Sequence, residues 1–490
     1  MPKDAPSESG RPFLSVFNDV IGPVMRGPSS SHTAGSYHIA ATCRMLLGEP
    51  PVRAVVSFDP SGSYIETYQT QNADRAFACG LAGRPLTDAR FTDVLRTARS
   101  EGLDIAFEAG RLGRAGHPNA VRVRLWTASG RRLEILARST GGGSFAVVRI
   151  EGKPVWIDGK KAFRMNFRGP DGRFVRLRAE PVFFPRAAEP LFRSAADLAA
   201  LARRRGLTAG EAGRLNEIRV LGLSGEDVDA EMLRRFAVMK RSLRSGLDPG
   251  QVHLRLLRPA AARILEAEKR NALPSGGRPV RTAARAMAVM QAVNSGAVVC
   301  AAPTGGSAGV LAAVAATLAE DGRAGRADIL RSLFAAGAIG LVFVRRATFA
   351  AEIAGCQVEI GAAGAMAAAA VVEAAGGTAR QACDAAAISL QNTMGSVCDL
   401  VAGRCEIPCF TRNAAAAASA FLCADLVLGG YENPVPLDDT IDASLASGRI
   451  LPSELRVTSR GGLAVTPAAR SLERKVRKRG PDGLEKETPP

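Results

Sequence analysis

Strand signals all but vanish beyond about residue 190, and that feature constrains the fold more than any other. Glu226 to Arg244, Arg281 to Val293, Ala308 to Leu318, Ala327 to Phe343, Ala362 to Ala375 and Arg412 to Leu428 all place apolar residues at helical spacing. Many of these stretches are apolar most of the way round, which suits a helix buried on every side. Gly-Gly pairs at 305–306 and 376–377 separate some of them. Aromatic residues make up only 5% of the 490, so such helices must pack through Ala, Val, Leu and Gly. The expectation is an all-α domain over residues 186–470. No internal repeat shows, nor any low-complexity tract beyond alanine enrichment.

The first 185 residues read differently. Val52 to Phe58 reads as a strand. Ala120 to Trp126 alternates apolar and basic residues, a Ser129-Gly130 turn follows, and Arg132 to Leu136 returns as the second arm of a hairpin. Ser144 to Ile150 and Pro154 to Ile157 form another around Glu151-Gly152-Lys153. Ala34 to Leu47 and Asp74 to Leu81 have helical spacing. Pro and Gly thicken between Gly169 and Pro190, where a linker is expected. The fold expected is thus an α/β (α+β) N-terminal domain, 1–185, followed by an all-α domain, with 471–490 as a basic tail.

The net charge of +17 is spread through the chain, and the one dense basic run is Arg470 to Arg479. No nucleic-acid motif with interleaved aromatics accompanies it, so no nucleic-acid partner is expected. A positive field favours a small anionic substrate. The first ten residues have no apolar core and cannot act as a secretory signal. Ala286 to Ala319 is free of charge, yet Asn294, Ser295, Thr304 and Ser307 punctuate it and its apolar members are mostly Ala. A buried core segment is expected there, and no membrane span. Nine cysteines without a signal point to the reducing cytoplasm.

Two constellations carry chemistry. The first is Gly27-Pro-Ser-Ser-Ser-His-Thr-Ala-Gly35. A single Ser here would cap the helix that follows. Ser29, Ser30, Ser31, His32 and Thr33 together exceed what capping needs, and a helix N-terminus also takes a carboxylate or phosphate. Cap and anion site both stay open on residue type alone. The second is Cys356, Cys398 and Cys409, spaced C-x41-C-x10-C. Cys43, Cys79, Cys300, Cys383 and Cys423 sit in regular patterns as small core fillers, whereas Cys409 follows Pro408 as a loop cysteine. Structural zinc would show paired C-x2-4-C motifs, and only Cys405-x3-Cys409 comes close. Three dispersed loop cysteines fit an iron–sulfur cluster with one open iron.

Across nearly its whole length the chain resembles the bacterial iron–sulfur-dependent L-serine dehydratase (L-serine ammonia-lyase) family. The motifs are Ser15-Val-Phe-Asn-Asp, the serine run, His117-Pro-Asn-Ala-Val-Arg122 and Gly141-Gly-Gly143, then Ala302-Pro-Thr-Gly-Gly-Ser-Ala-Gly309, Ala336-Gly-Ala-Ile-Gly340 and Gly355-Cys-Gln357. They continue through Gln391-Asn392, Val397-Cys-Asp-Leu-Val-Ala-Gly403, Ile407-Pro-Cys409, Arg412-Asn413 and Pro436-Leu-Asp438. The resemblance implies a [4Fe–4S] cluster on Cys356, Cys398 and Cys409 in the helical domain, leaving Cys405 a bystander. It implies no pyridoxal phosphate. It also implies water and then ammonia eliminated from L-serine or a related β-hydroxy amino acid to give a 2-oxo acid. The open iron acts as a Lewis acid. Ser29, Ser30, Ser31 and Thr33, with Asn119 and Thr304, would hold the substrate at the domain interface of a cytoplasmic homodimer.

Two departures matter. Where the family reads Lys-Gly-His-Gly/His-Thr-Asp, this chain has Gln69-Thr-Gln-Asn-Ala-Asp74, which puts Gln71 in the place of a proton-transfer histidine. An amide cannot serve as a general base, so His117, or failing that His32, is expected to take that role. His38 reads as a helix residue and His253 as a surface one. Arg346 stands where the family often carries a small amide, and either pairs with a second substrate carboxylate or belongs to a surface pair with Arg345. Weak activity on plain serine and better activity on a larger or more polar β-substituted acid are expected. The alternatives are a lyase on another β-substituted acid, including a cysteine desulfidase-like reaction, and a non-catalytic amino-acid or cluster sensor.

Overall fold

Apolar residues alternating with basic ones give Ala120–Thr127 a dry face and a wet one, and the first half of the protein is built around that strand. The structure, a computed structural model, describes residues 13–60, 62–112, 117–168, 174–320 and 324–478. Its strands are β1 (Val24–Arg26), β2 (Pro51–Phe58), β3 (Asp104–Ala109), β4 (Ala120–Thr127), β5 (Arg132–Gly141), β6 (Ser144–Ile150), β7 (Lys153–Ile157), β8 (Phe163–Arg168), β9 (Phe174–Ala179) and β10 (Val298–Cys300). One six-stranded sheet runs β3-β2-β4-β5-β6-β7. Only β2 and β3 pair in parallel; the two expected hairpins are β4–β5 and β6–β7. Val121, Val123, Leu133 and Ile135 pack inward against Ile39, Cys43 and Leu46 of helix Gly35–Leu47. The wet face carries Arg122, Arg124 and Trp126, with Arg53 stacked on the indole.

The stretch read as a linker is more ordered than its Pro and Gly suggest. β8 and β9 form an antiparallel hairpin with Phe163 opposite Ala179, so regular structure continues to Ala179. From Ala195 onward the described chain is helical, apart from β10 and connecting segments such as 392–408 and 451–466. The six expected helices are all present, and Ala195–Arg205, Ala209–Leu221, Ala261–Lys269, Ala379–Gln391, Leu437–Ile450 and Pro467–Lys478 join them. Small side chains set the packing distance, as the aromatic-poor composition requires. A Cβ on Gly246 would lie 1.7 Å from the Ala288 carbonyl oxygen, so helices Gly225–Leu247 and Gly277–Asn294 touch through backbone. Arg326–Arg346 and Cys356–Ala374 are long and apolar enough to cross a membrane by length and composition, and most of each lies buried inside this helical half.

Two features tie the halves together. β1 pairs antiparallel with β10, Met25 opposite Val299. Glu217 accepts hydrogen bonds from the Val16 and Phe17 N–H groups at 2.8 and 3.0 Å. Leu14, Val16, Phe17 and Val20 therefore belong to the core of the helical half. The serine run starts immediately after β1 and is held against that half.

Candidate active site

The serine run becomes a wide helical turn, Ser30–Ala34, closed by the Gly35 N–H donating to the Ser30 carbonyl, that feeds helix Gly35–Leu47. Ser29 Oγ caps it by accepting the His32 N–H at 3.3 Å. Ser30 Oγ accepts the Gly305 N–H at 3.2 Å, across to the helical half. Thr33 Oγ1 donates to the Gln71 carbonyl at 3.0 Å. Ser30 and Thr33 are thus turned into the protein and position the loop, while Ser29, Ser31 and Gln71 line a pocket between the halves. Ser31 Oγ donates to Glu352 Oε1 at 2.7 Å. The His32 ring is buried, with Nδ1 3.0 Å from Ser31 Oγ and 3.7 Å from Glu352, and Nε2 2.9 Å from Thr67 Oγ1. Burial lowers the His32 pKa to about 4 against the pull of Glu352. The Glu352 carboxyl is driven up by burial, yet His32, the Ser31 hydroxyl and Asn119 bring it below its ordinary value.

His117 and Asn119 lie on the same side. The Asn119 N–H donates to His117 Nδ1 at 3.1 Å, so the neutral ring carries its hydrogen on Nε2. That tautomer offers a proton where the sequence suggested a base. Burial lowers the His117 pKa to about 4. Its Nε2 is buried and finds no hydrogen-bond partner among the described residues, whereas the buried Asn119 amide is turned to the Glu352 carboxylate without a well-formed bond to it. Asn119 Oδ1 accepts from Ser63 Oγ at 2.5 Å. The His117 Nε2–H is left over, a costly state unless something binds it.

The opposite wall carries sulfur. Cys356 opens a short turn, Cys398 forms a lone bridge with Arg456, and Cys409 is the first residue of helix Cys409–Leu428 and not a loop residue. Cys356 Sγ, Cys398 Sγ and a Glu359 carboxylate oxygen all lie within 4.8 Å of one another, and Cys398, Cys409 and Glu359 line the same pocket as Ser31. Arg412 Nη1 donates to Cys356 Sγ at 3.6 Å and its Nη2 pairs with Asp399 at 3.1 Å. Cys398 and Arg412 hold the Cys356 thiol below the usual range, while contact with other thiols and burial push Cys398 and Cys409 well above it. Converging buried sulfurs beside one guanidinium suit a soft metal centre such as an iron–sulfur cluster. Cys405, which the resemblance leaves a bystander, lines this pocket too and sits against Cys409. Thr304 hydrogen-bonds Ser307 at 3.0 Å and faces Glu359.

Residues 158–464 match the family described as serine dehydratase alpha chain. The chain belongs to the serine dehydratase family. It is similar to L-serine dehydratase 2 of Escherichia coli, 30% identical over 468 residues that span 92% of this chain and 99% of that protein. The L-serine dehydratase of Streptomyces coelicolor is 29% identical over 492 residues, 92% of this chain and 98% of that one. A probable L-serine dehydratase alpha chain of Bacillus subtilis is 35% identical over 286 residues, 58% of this chain and 95% of that protein.

For this serine dehydratase family member, sequence reasoning passed over Glu352, Glu359 and the role of Arg412. The signal for Glu352 was present: it is the sole charge between Arg346 and Glu359, four residues before Cys356. Arg346 does not reach the pocket; it pairs with Asp438 and Asp442. His38 Nδ1 donates to the Gly143 carbonyl at 2.8 Å inside the sheet domain, and His253 is exposed.

Proposed function

We propose that this serine dehydratase family member is an iron–sulfur-dependent lyase. It removes water and then ammonia from L-serine or a related β-hydroxy amino acid and releases a 2-oxo acid. One observation carries the reading: the pocket that gathers Cys398, Cys409 and Glu359 from one half also takes Ser29, Ser31 and Gln71 from the other. Cys356, Cys398 and Cys409 would hold a [4Fe–4S] cluster, which when bound supplies a Lewis acid for the departing hydroxide. The residues around it bind and orient. Ser29 and the unpartnered His117 Nε2–H are donors suited to a carboxylate, with the Asn119 amide close by. Ser30, Thr33 and Thr304 hold the loops that present them. Elimination leaves a 2-aminoacrylate, which tautomerises to an imine that water hydrolyses to ammonia and the 2-oxo acid.

Gln71 favours a substrate with an extra polar group. Its side chain lines the pocket and its Nε2 donates one hydrogen to the Gly403 carbonyl at 3.4 Å, so the second hydrogen and the amide oxygen are left for a ligand. The test is a panel of β-hydroxy and other β-substituted amino acids offered to anaerobically purified protein, with ammonia and 2-oxo acid read out. Turnover of none of them by iron-loaded protein would leave the sensor reading standing in its place.

A further inference from the structure

Removing the Cα proton needs a lone pair at the pocket, and none of the histidines supplies one. His117 Nδ1 is occupied by the Asn119 N–H, so its free nitrogen donates. Thr67 Oγ1 spends its hydrogen on the Ser63 carbonyl at 2.7 Å, so it accepts from His32 Nε2. The His32 lone pair is therefore on Nδ1, facing Ser31 Oγ and not the pocket. Gln71 does not titrate. Two carboxylates remain on the pocket wall, Glu352 and Glu359. Glu359 stands among the sulfurs, its carboxylate within 4.8 Å of Cys356 Sγ and Cys398 Sγ, which places it with the metal-holding groups and not beside the serine run. Glu352 is the carboxylate on the serine-run side, its Oε1 accepting from Ser31 Oγ at 2.7 Å and standing 3.7 Å from His32 Nδ1.

We propose that Glu352 is the base that takes the Cα proton, backed by Ser31 and His32; this rests on the β-elimination reading above. The Cα–H bond breaks and its proton goes to a Glu352 oxygen. The electron pair left on Cα forms the Cα=Cβ bond as the Cβ–O bond breaks and hydroxide departs. Glu352 then returns its proton to that hydroxide, which leaves as water, so the site ends as it began. While protonated, Glu352 can donate to Ser31 Oγ, whose own hydrogen turns to His32 Nδ1 at 3.0 Å. One proton is then shared along carboxyl, hydroxyl and imidazole, and the 3.7 Å Glu352–His32 separation keeps the resulting charges paired.

The experiment uses the iron-loaded full chain and the best substrate of the panel. Glu352→Gln keeps an oxygen to accept from Ser31 and removes only the basicity. Its turnover should fall about 10²- to 10⁴-fold, the usual worth of a general base, with iron per chain unchanged and KM within about threefold of wild type. Glu352→Asp keeps a carboxylate at a longer reach. It should recover part of the rate and show a larger isotope effect with Cα-deuterated substrate than wild type does. Glu352→Gln turnover within tenfold of wild type would overturn the proposal. So would iron loss or a KM rise that accounts for the lost rate, because Glu352 would then be structural or a ligand for the substrate ammonium. An isotope effect in Glu352→Asp equal to the wild-type value would also count against it. Wild-type protein inert toward the whole panel overturns the elimination reading itself, an outcome none of the variant comparisons produces.

Discussion

Replacing His38 with glutamine should flatten the acid side of the stability curve. His38 lies on the helix that carries the serine run, buried between Tyr37, Phe145 and Phe183, with Nδ1 donating to the Gly143 carbonyl. Burial lowers its pKa from 6.5 to about 4. The folded protein keeps the ring neutral, while the unfolded chain takes up a proton once the pH drops below 6.5. The stabilisation is thus complete above the unfolded pKa and is lost as the pH falls, levelling off near 4. At 1.36 kcal/mol per pKa unit, the loss between pH 7 and pH 5 is about 2 kcal/mol, and by pH 4 it approaches about 3 kcal/mol. Glutamine retains an N–H for the Gly143 carbonyl and has no such titration. Urea unfolding of both proteins at pH 7 and pH 5, under argon, measures the difference, and contributions common to both cancel. A wild type that loses no more stability than His38→Gln over that interval would refute the reasoning.

Three other outcomes test the site. Iron analysis of anaerobically reconstituted protein should give about four irons per chain. Cys356→Ser, Cys398→Ser or Cys409→Ser should abolish that loading, whereas Cys405→Ser should keep it; native protein with stoichiometric zinc and no iron would contradict the assignment. Ser31→Ala removes a hydrogen bond to a charged, buried carboxylate and should cost about 1.5–3 kcal/mol, while Ser30→Ala removes a neutral one and should cost about 0.5–1.5 kcal/mol of stability with KM spared. Unfolding and steady-state kinetics on the same two variants separate these roles, and a KM raised more than tenfold in stable Ser30→Ala would contradict the placement of that hydroxyl. Finally, plain L-serine should be a weak substrate next to a more polar β-substituted acid, and kcat/KM on serine above about 10⁴ M⁻¹s⁻¹ would make Gln71 a neutral replacement.

How much of this was legible depends on the range of the interactions. Ala120 to Trp126 announces a strand because its alternation is local, and Ala362 to Ala375 announces a buried helix because apolar residues surround it on every face. β1 and β10 are three residues each, too short for a period, and their pairing spans most of the chain. β9 was missed because it follows Gly169 and Pro170, which read as linker. In the site, hydroxyls and thiols showed themselves by type and clustering. Glu352 did not, because a lone acid in a short helical segment looks like a surface residue until Ser31 is folded onto it from 321 positions away. The tautomer of His117 is set by a backbone N–H two residues on, a contact that only geometry reveals.

The strand pairing between the halves has a consequence for how the protein is made. Val24–Arg26 leaves the ribosome about 270 residues ahead of Val298–Cys300, a wait of roughly 15–55 s at 5–20 residues per second. The six-stranded sheet is complete at Ile157 and can close early in that interval, with Thr33 and His32 already bonded to Gln71 and Thr67, but Ser30 and Ser31 lack Gly305 and Glu352 until the helical half follows. Val457 also lines the pocket, so its walls are not all present until residue 457 has been made. Any metal held there must be delivered after residue 457 has left the ribosome, because before that the pocket lacks one of its walls.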